Sequence, residues 1–211
     1  MKPLTICTLT VHTDPRIIPL TYRALTIAGW LTMISAFASV PMAYLAFKLE
    51  GQIDPTTTLI LATMQTAGTL LFVAITVLLK RFLNRIFSFH DTDKSIELMI
   101  MANVVAGVFV VGGMYIPQIK EPVNTAALVL MVFQGIVQMQ FGVKLLKLQH
   151  GLGGLLKPFC YLNMATGVCI ASIVLIIVGV VASAVSDLML ATIFFNVSNL
   201  LKVSEQSQMS S

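Results

Sequence analysis

The sequence predicts an all-α, polytopic membrane protein built as a bundle of six transmembrane helices. Between Arg23 and Lys202 the chain consists of stretches of about 22 to 29 uncharged residues, each long enough to cross a bilayer. Only 10% of the 211 residues are charged, against roughly 25% in a soluble domain, and the mean hydropathy is +0.91. The composition therefore excludes a soluble globular domain. The predicted spans cover residues 22–47, 58–79, 96–116, 123–143, 159–182 and 188–201.

The first two spans are bounded by charged residues. Arg23 and Lys48 bracket span one, and Pro41 in its second half predicts a kink. Pro55 lies in the turn that follows, and Lys80 ends span two. Charged residues at the ends of both spans are typical of helices that end at a membrane surface.

Spans three and four have helix start and stop signals. Asp91 or Asp93 is a predicted cap for span three, which ends at Pro117 because proline lacks the N–H of a helix interior. Pro122 suits the first turn of span four, and Lys144 ends it.

The boundary between spans five and six is predicted at Ser183, Ser186 and Asp187, which interrupt a long apolar run and suit a helix cap. Span six then offers about 14 residues before Lys202, fewer than the roughly 20 that a crossing requires. The alternative is five spans and one interfacial segment.

The predicted organisation has three parts: a surface segment at 1–20, the helix bundle at 21–203 and a flexible tail at 204–211. With six spans and a cytoplasmic N-terminus, Lys48 and Lys120 are the only two of the 13 Lys and Arg residues outside the cytoplasmic face. The positive-inside rule favours this orientation, with both termini cytoplasmic. The short loops suggest a bacterial inner membrane.

An internal repeat is suggested by spans three and five. Asn103 and Gly107 in span three match Asn163 and Gly167 in span five, and Gly29 takes the glycine position in span one. These matches suggest three helical hairpins of one topology. The alternative is a chance match among abundant small and apolar residues.

The spans are predicted to contain neutral polar groups but no acidic or basic residue near their centres. Amides in an apolar bundle need hydrogen-bonding partners, so they either join helices or line a polar path. The candidate lining or interhelical residues are Gln65, Asn103, Gln134, Gln138, Asn163, Asn196 and Asn199.

No catalytic, cofactor-binding or metal residue is predicted. His12, His90 and His150 fall outside the spans, which argues against a transmembrane haem, and the three cysteines form no CxxC pair. No hydrolase, zinc or phosphate-binding motif occurs. Basic residues form no stripe, so nucleic acid is not a predicted partner.

Three functions are compatible with this sequence. The first is a non-enzymatic accessory or scaffolding subunit, or a self-assembling component, with membrane lipids and other subunits or itself as partners. Small-residue pairs such as Ala102 and Ala106, or Gly179 and Ser183, favour close helix packing. One alternative is a channel or facilitator for a small neutral solute, lined by amides. The other is a lipid-acting enzyme that uses the cytoplasmic loop at His90 or the loop from Lys144 to Lys157.

Overall fold

The computed structural model describes residues 22–49, 54–148, 154–172 and 174–209, and these residues form helices and no strand. The helices are α1 (Tyr22–Leu49), α2 (Pro55–Ile86), α3 (Asp93–Tyr115), α4 (Lys120–Leu145), α5 (Leu156–Ala171) and α6 (Ile176–Met209). A single 3-10 turn, Pro117–Ile119, connects α3 to α4. The predicted all-α bundle is confirmed. The predicted surface segment 1–20 lies outside the described residues.

Five of the described helices are long and apolar enough to cross a membrane: α1, α2, α3, α4 and α6. Helix α5 is shorter, with 16 residues, whereas α6 has 34. This composition makes the chain an integral membrane protein. The short helix of the bundle is thus the fifth and not the sixth.

The predicted boundary between the last two spans was wrong. Helix α5 ends at Ala171 and α6 begins at Ile176, both inside the predicted span 159–182, and Ser183, Ser186 and Asp187 lie within α6. The earlier turn gives the last helix the length for a crossing that 14 residues would not provide. The turn contains no Gly or Pro, so the sequence carried no break signal there. Helix α6 also continues to Met209, into the segment predicted as a tail.

The six helices form a closed ring. Each helix packs against its neighbours in the chain, and α6 packs extensively against α1. Because consecutive helices are joined by short connections, they run alternately up and down. Such a ring has two ends and an interior to which every helix can contribute.

One end of the ring is filled by a packed apolar core. We call it the core end; it lies where α1, α3 and α5 begin and where α2 and α4 finish. Four phenylalanines are buried in this cluster, and the rings of Phe82 and Phe194 meet edge to face at 5.3 Å. The four are Phe82, Phe141, Phe159 and Phe194. The interior is therefore sealed at the core end.

The three glycines of the suggested repeat occupy equivalent places in the ring. A Cβ added to any of them would lie within 3 Å of an atom on the preceding helix of the ring, counting α6 as the helix before α1. These contacts join Gly29 to Phe195, Gly107 to Thr69 and Gly167 to Gly135. The arrangement supports the interpretation of three hairpins with one topology.

Basic residues are concentrated at the core end. Among the described Lys and Arg residues, only Lys48 and Lys120 belong to the opposite end, which we call the far end. At the core end the Lys80 ammonium lies 2.6 Å from Glu97 and links α2 to α3. Lys144 donates to Ser95 at 2.9 Å and links α4 to α3.

Candidate functional site

A cavity of about 330 Å³ lies inside the ring, and all six helices contribute to its wall. Its volume is within the range of pockets that hold small molecules. Apolar residues form part of the lining, but every helix also contributes at least one polar group. These polar residues are Ser35, Ser39, Thr76, Asn103, Gln138, Asn163, Ser183, Ser186 and Asp187.

The cavity lies near the middle of the bundle. Ser35, Asn103 and Asn163 stand close to the midpoints of α1, α3 and α5. Asp187 is about 16 Å from the start of α6 at 1.5 Å per residue. A polar cavity at this depth resembles in position the substrate sites of membrane transporters, which lie near the bilayer midplane.

The cavity is closed toward the core end by an apolar floor. On α2, α4, α5 and α6, an apolar residue lies one helical turn closer to the core end than the polar residue of the wall. The four floor residues are Leu79, Phe141, Phe159 and Leu190, all buried. On the opposite rim, Gly68 of α2 is exposed, and a Cβ there would meet no atom within 4 Å.

Asn163 connects three helices through its amide group. Gln138 Nε2 of α4 donates to Asn163 Oδ1 at 3.2 Å. Asn163 Nδ2 donates to Ser186 Oγ of α6 at 2.8 Å and to the Phe159 carbonyl of its own helix at 3.2 Å. The donor and acceptor of this amide are thus both engaged by protein atoms.

Asp187 is the acidic group of the cavity. Ser35 Oγ donates to Asp187 Oδ2 at 2.9 Å across the α1–α6 interface. No Lys, Arg or His occurs among the described residues of the lining. The ion pairs of the described chain, Lys80 with Glu97 and a His90–Asp93 contact, are elsewhere. The expectation that no acidic residue lies near the centre of a span was therefore wrong.

Asn103 offers an unused acceptor. Its Oδ1 is buried and has no hydrogen-bonding partner among the described residues. A buried acceptor without a donor costs about 1–3 kcal/mol, which water or a ligand with an N–H or O–H group would offset. Asn103 and Asp187 together make this cavity a site for hydrogen-bond donors.

The structure places three of the seven predicted polar residues in the cavity wall: Asn103, Gln138 and Asn163. The other four do not line it; they are Gln65, Gln134, Asn196 and Asn199. Sequence reasoning missed Ser35 and Ser186 because serines are common in apolar helices. It missed Asp187 because the misplaced helix boundary put that residue at a helix start.

The loop before α3 holds a second polar cluster. Asn84 Nδ2 donates to Asp93 Oδ1 at 2.9 Å, and His90 Nδ1 lies 3.2 Å from Asp93 Oδ2. The described residues include no group of three His, Cys, Asp or Glu suited to a metal. His150 lies outside the described residues.

No protein-family model, curated protein or solved structure matches this chain.

Proposed function

We propose that this integral membrane protein is a non-enzymatic facilitator that carries a small polar solute across the membrane through the cavity of its helix ring. The observation that supports this most directly is the polar wall at mid-depth, to which all six helices contribute. Polar groups within membrane helices are costly, and an ionisable one is by default a sign of function. A polar interior with a free acceptor is difficult to explain by helix packing alone.

The scaffolding hypothesis has less support because the small residues that suggested it are used within the chain. Ala102 is buried, and Gly179 lies against Cys169 and Ile170 of α5. Ser183 lines the cavity. These residues need no second subunit to be packed. An accessory subunit and a lipid-acting enzyme both stay predictions that no observation favours.

We propose a bacterial inner membrane as the setting, with the core end in the cytoplasm. Support comes from the basic residues: in the described chain, Lys48 and Lys120 alone belong to the far end. Lysine and arginine are enriched in cytoplasmic loops. In this orientation the apolar floor of the cavity faces the cytoplasm.

The test compares two glycines that differ in their relation to the cavity. Gly68 and Gly112 are both helical, and a Cβ on either would meet no atom within 4 Å, but Gly68 alone of the two lines the cavity. The purified protein is reconstituted into liposomes, and uptake of small neutral, cationic and anionic solutes is measured. We expect Gly68→Phe to reduce uptake about tenfold or more because the ring enters the cavity, whereas Gly112→Phe leaves uptake close to wild type.

Two results would contradict the proposal. One is equal uptake by both variants, which would place the path outside the cavity. The other is a wild-type protein that carries no solute of any of the three classes faster than protein-free liposomes. Both variants should elute from size-exclusion chromatography as monodisperse protein, which excludes misfolding as the cause of a lower uptake.

A further inference from the structure

We infer that the solute is a small organic cation with a primary ammonium group, held by the carboxylate of Asp187. This inference rests on the proposed function and replaces the neutral solute that the amide pattern alone suggested. It depends on three features of the cavity: its isolated charge, its open acceptors and its size.

The charge of Asp187 needs a counter-charge that the described protein does not supply. Its hydrogen bond from Ser35 is a neutral one, and the described lining carries no basic residue. An ionised carboxylate in a medium of low dielectric is strongly destabilised unless it is paired. A cation that enters the cavity would stabilise the ionised form of this carboxylate, whereas an anion would be repelled and a neutral solute would not offset the cost of ionisation.

The open acceptors match an ammonium group. Ser35 engages Oδ2 of Asp187 and leaves Oδ1 for another donor. Asn103 Oδ1 is without a partner in the described chain, whereas Asn163 Oδ1 already accepts from Gln138. An ammonium has three N–H donors and no acceptor, so it suits a cavity wall whose open groups are acceptors.

The cavity argues against a metal ion as the cargo. Divalent ions are usually held by several carboxylate or carbonyl oxygens at 2.0–2.6 Å. Here a single carboxylate lines the wall, and the described residues hold no cluster of three His, Cys, Asp or Glu. A volume of about 330 Å³ also leaves room for an organic body around the charged group.

The experiment uses three probes of similar size: ethanolamine as the cation, ethylene glycol as the neutral analogue and glycolate as the anion. Binding of each radiolabelled probe to the full chain in lipid nanodiscs is measured at pH 7, and uptake is measured in liposomes. We expect ethanolamine to bind most tightly. We expect Asp187→Asn to weaken its binding about tenfold or more, because the ion pair is lost, and Asn199→Ala, outside the cavity, to have no effect.

Asp187→Asn keeps the side-chain size and an acceptor for Ser35, and its elution and melting temperature check the fold. If that variant does not fold, the ranking of the probes on the wild type decides, together with Asn103→Leu, which should weaken ethanolamine binding. The inference is overturned if ethylene glycol or glycolate binds more tightly, if Asp187→Asn binds ethanolamine as well as the wild type, or if Na⁺ or K⁺ displaces ethanolamine at equal concentration. Cation binding without uptake would leave this inference standing and refute the proposed function.

Discussion

At the scale of single residues, Asn163 has the most connected polar side chain of the cavity. Its amide holds α4 and α6 to α5 through Gln138 and Ser186. Hydrogen bonds between membrane helices contribute about 0.6 kcal/mol on average and up to about 1.7 kcal/mol. Two such bonds from one amide make Asn163 a structural residue of the wall, in contrast to Asn103, whose acceptor is open.

Asn163→Leu should therefore destabilise the bundle by about 1–2 kcal/mol, because it removes both interhelical bonds and leaves Gln138 without that partner. Reversible unfolding of the reconstituted protein measures the change. Asn199→Leu is the matched control: Asn199 is exposed on α6, and its loss should change stability by less than about 0.5 kcal/mol. Equal effects of the two variants would contradict this account.

Asp54 caps α2, and its effect should depend on pH. Its carboxylate accepts from the Thr57 hydroxyl and the Thr57 N–H, and these bonds hold its pKa below the ordinary value. Since the folded pKa is the lower one, the stabilisation is present at neutral pH and is lost as the pH falls through that folded pKa. Asp54→Ala should lower the melting temperature at pH 7, and Asp54→Asn less so, because asparagine also caps helices.

The pH dependence separates charge from capping. The difference in melting temperature between wild type and Asp54→Asn should shrink as the pH is lowered toward the pKa of the carboxyl. A difference that stays constant as the pH is lowered from about 5 to about 2, through the folded pKa, would show that the charge of Asp54 does not contribute.

At the scale of helices, α4 and α5 approach each other through two glycines. A Cβ on Gly135 would lie 2.6 Å from the Gly167 carbonyl oxygen, and a Cβ on Gly167 would lie equally close to that of Gly135. The obstacle on both sides is backbone, which cannot rotate away. Small residues at such crossings let membrane helices pack closely.

Gly135→Ala should consequently destabilise the protein by about 1–3 kcal/mol through overpacking. Gly112→Ala is the control, since a Cβ there meets no atom within 4 Å, and it should be neutral or stabilising by up to about 1 kcal/mol because glycine is the more flexible residue. Thermal unfolding of both variants in the same detergent compares them. Destabilisation of the same size in both would mean that the α4–α5 contact is not the cause.

Charge or proline predicted four helix ends, and the boundary that has neither was misplaced. The ends of α1, α3 and α4 and the start of α2 lie close to Lys48, Pro117, Lys144 and Pro55, whereas α2 continues past the predicted end at Lys80 to Ile86. The turn at 172–175 is built of apolar residues and serine, so periodicity and composition continue through it unchanged. The sequence therefore has no local break signal at this turn.

The misplaced boundary between the last two helices also explains why Asp187 was not predicted as a site residue. Asn103, Gln138 and Asn163 were candidates because amides stand out in apolar spans. Asp187 stood out equally, but as a cap at the start of a helix it had an ordinary explanation. Once α6 begins at Ile176, the same carboxylate lies well inside the helix, and the cap explanation no longer applies.

At the scale of the whole molecule, the ring has two unlike ends, and we expect the core end to face the cytoplasm. Single cysteines at Asp91 and Glu121 test this, because both residues are exposed and lie at opposite ends. In a background without the native cysteines, a membrane-impermeant maleimide added to intact cells should label Glu121→Cys and not Asp91→Cys. The opposite pattern would reverse the orientation.

The apolar floor also limits how fast the protein could work. The floor consists of four buried apolar residues, Leu79, Phe141, Phe159 and Leu190. Under the proposed function, each solute would therefore have to wait for helices to rearrange before it left through the core end. Collective motions of helices take microseconds to milliseconds, which caps turnover at about 10³ to 10⁶ events per second. Uptake should accordingly saturate with solute concentration, and solute loaded on the opposite side should accelerate it by exchange, neither of which a permanently open pore would show.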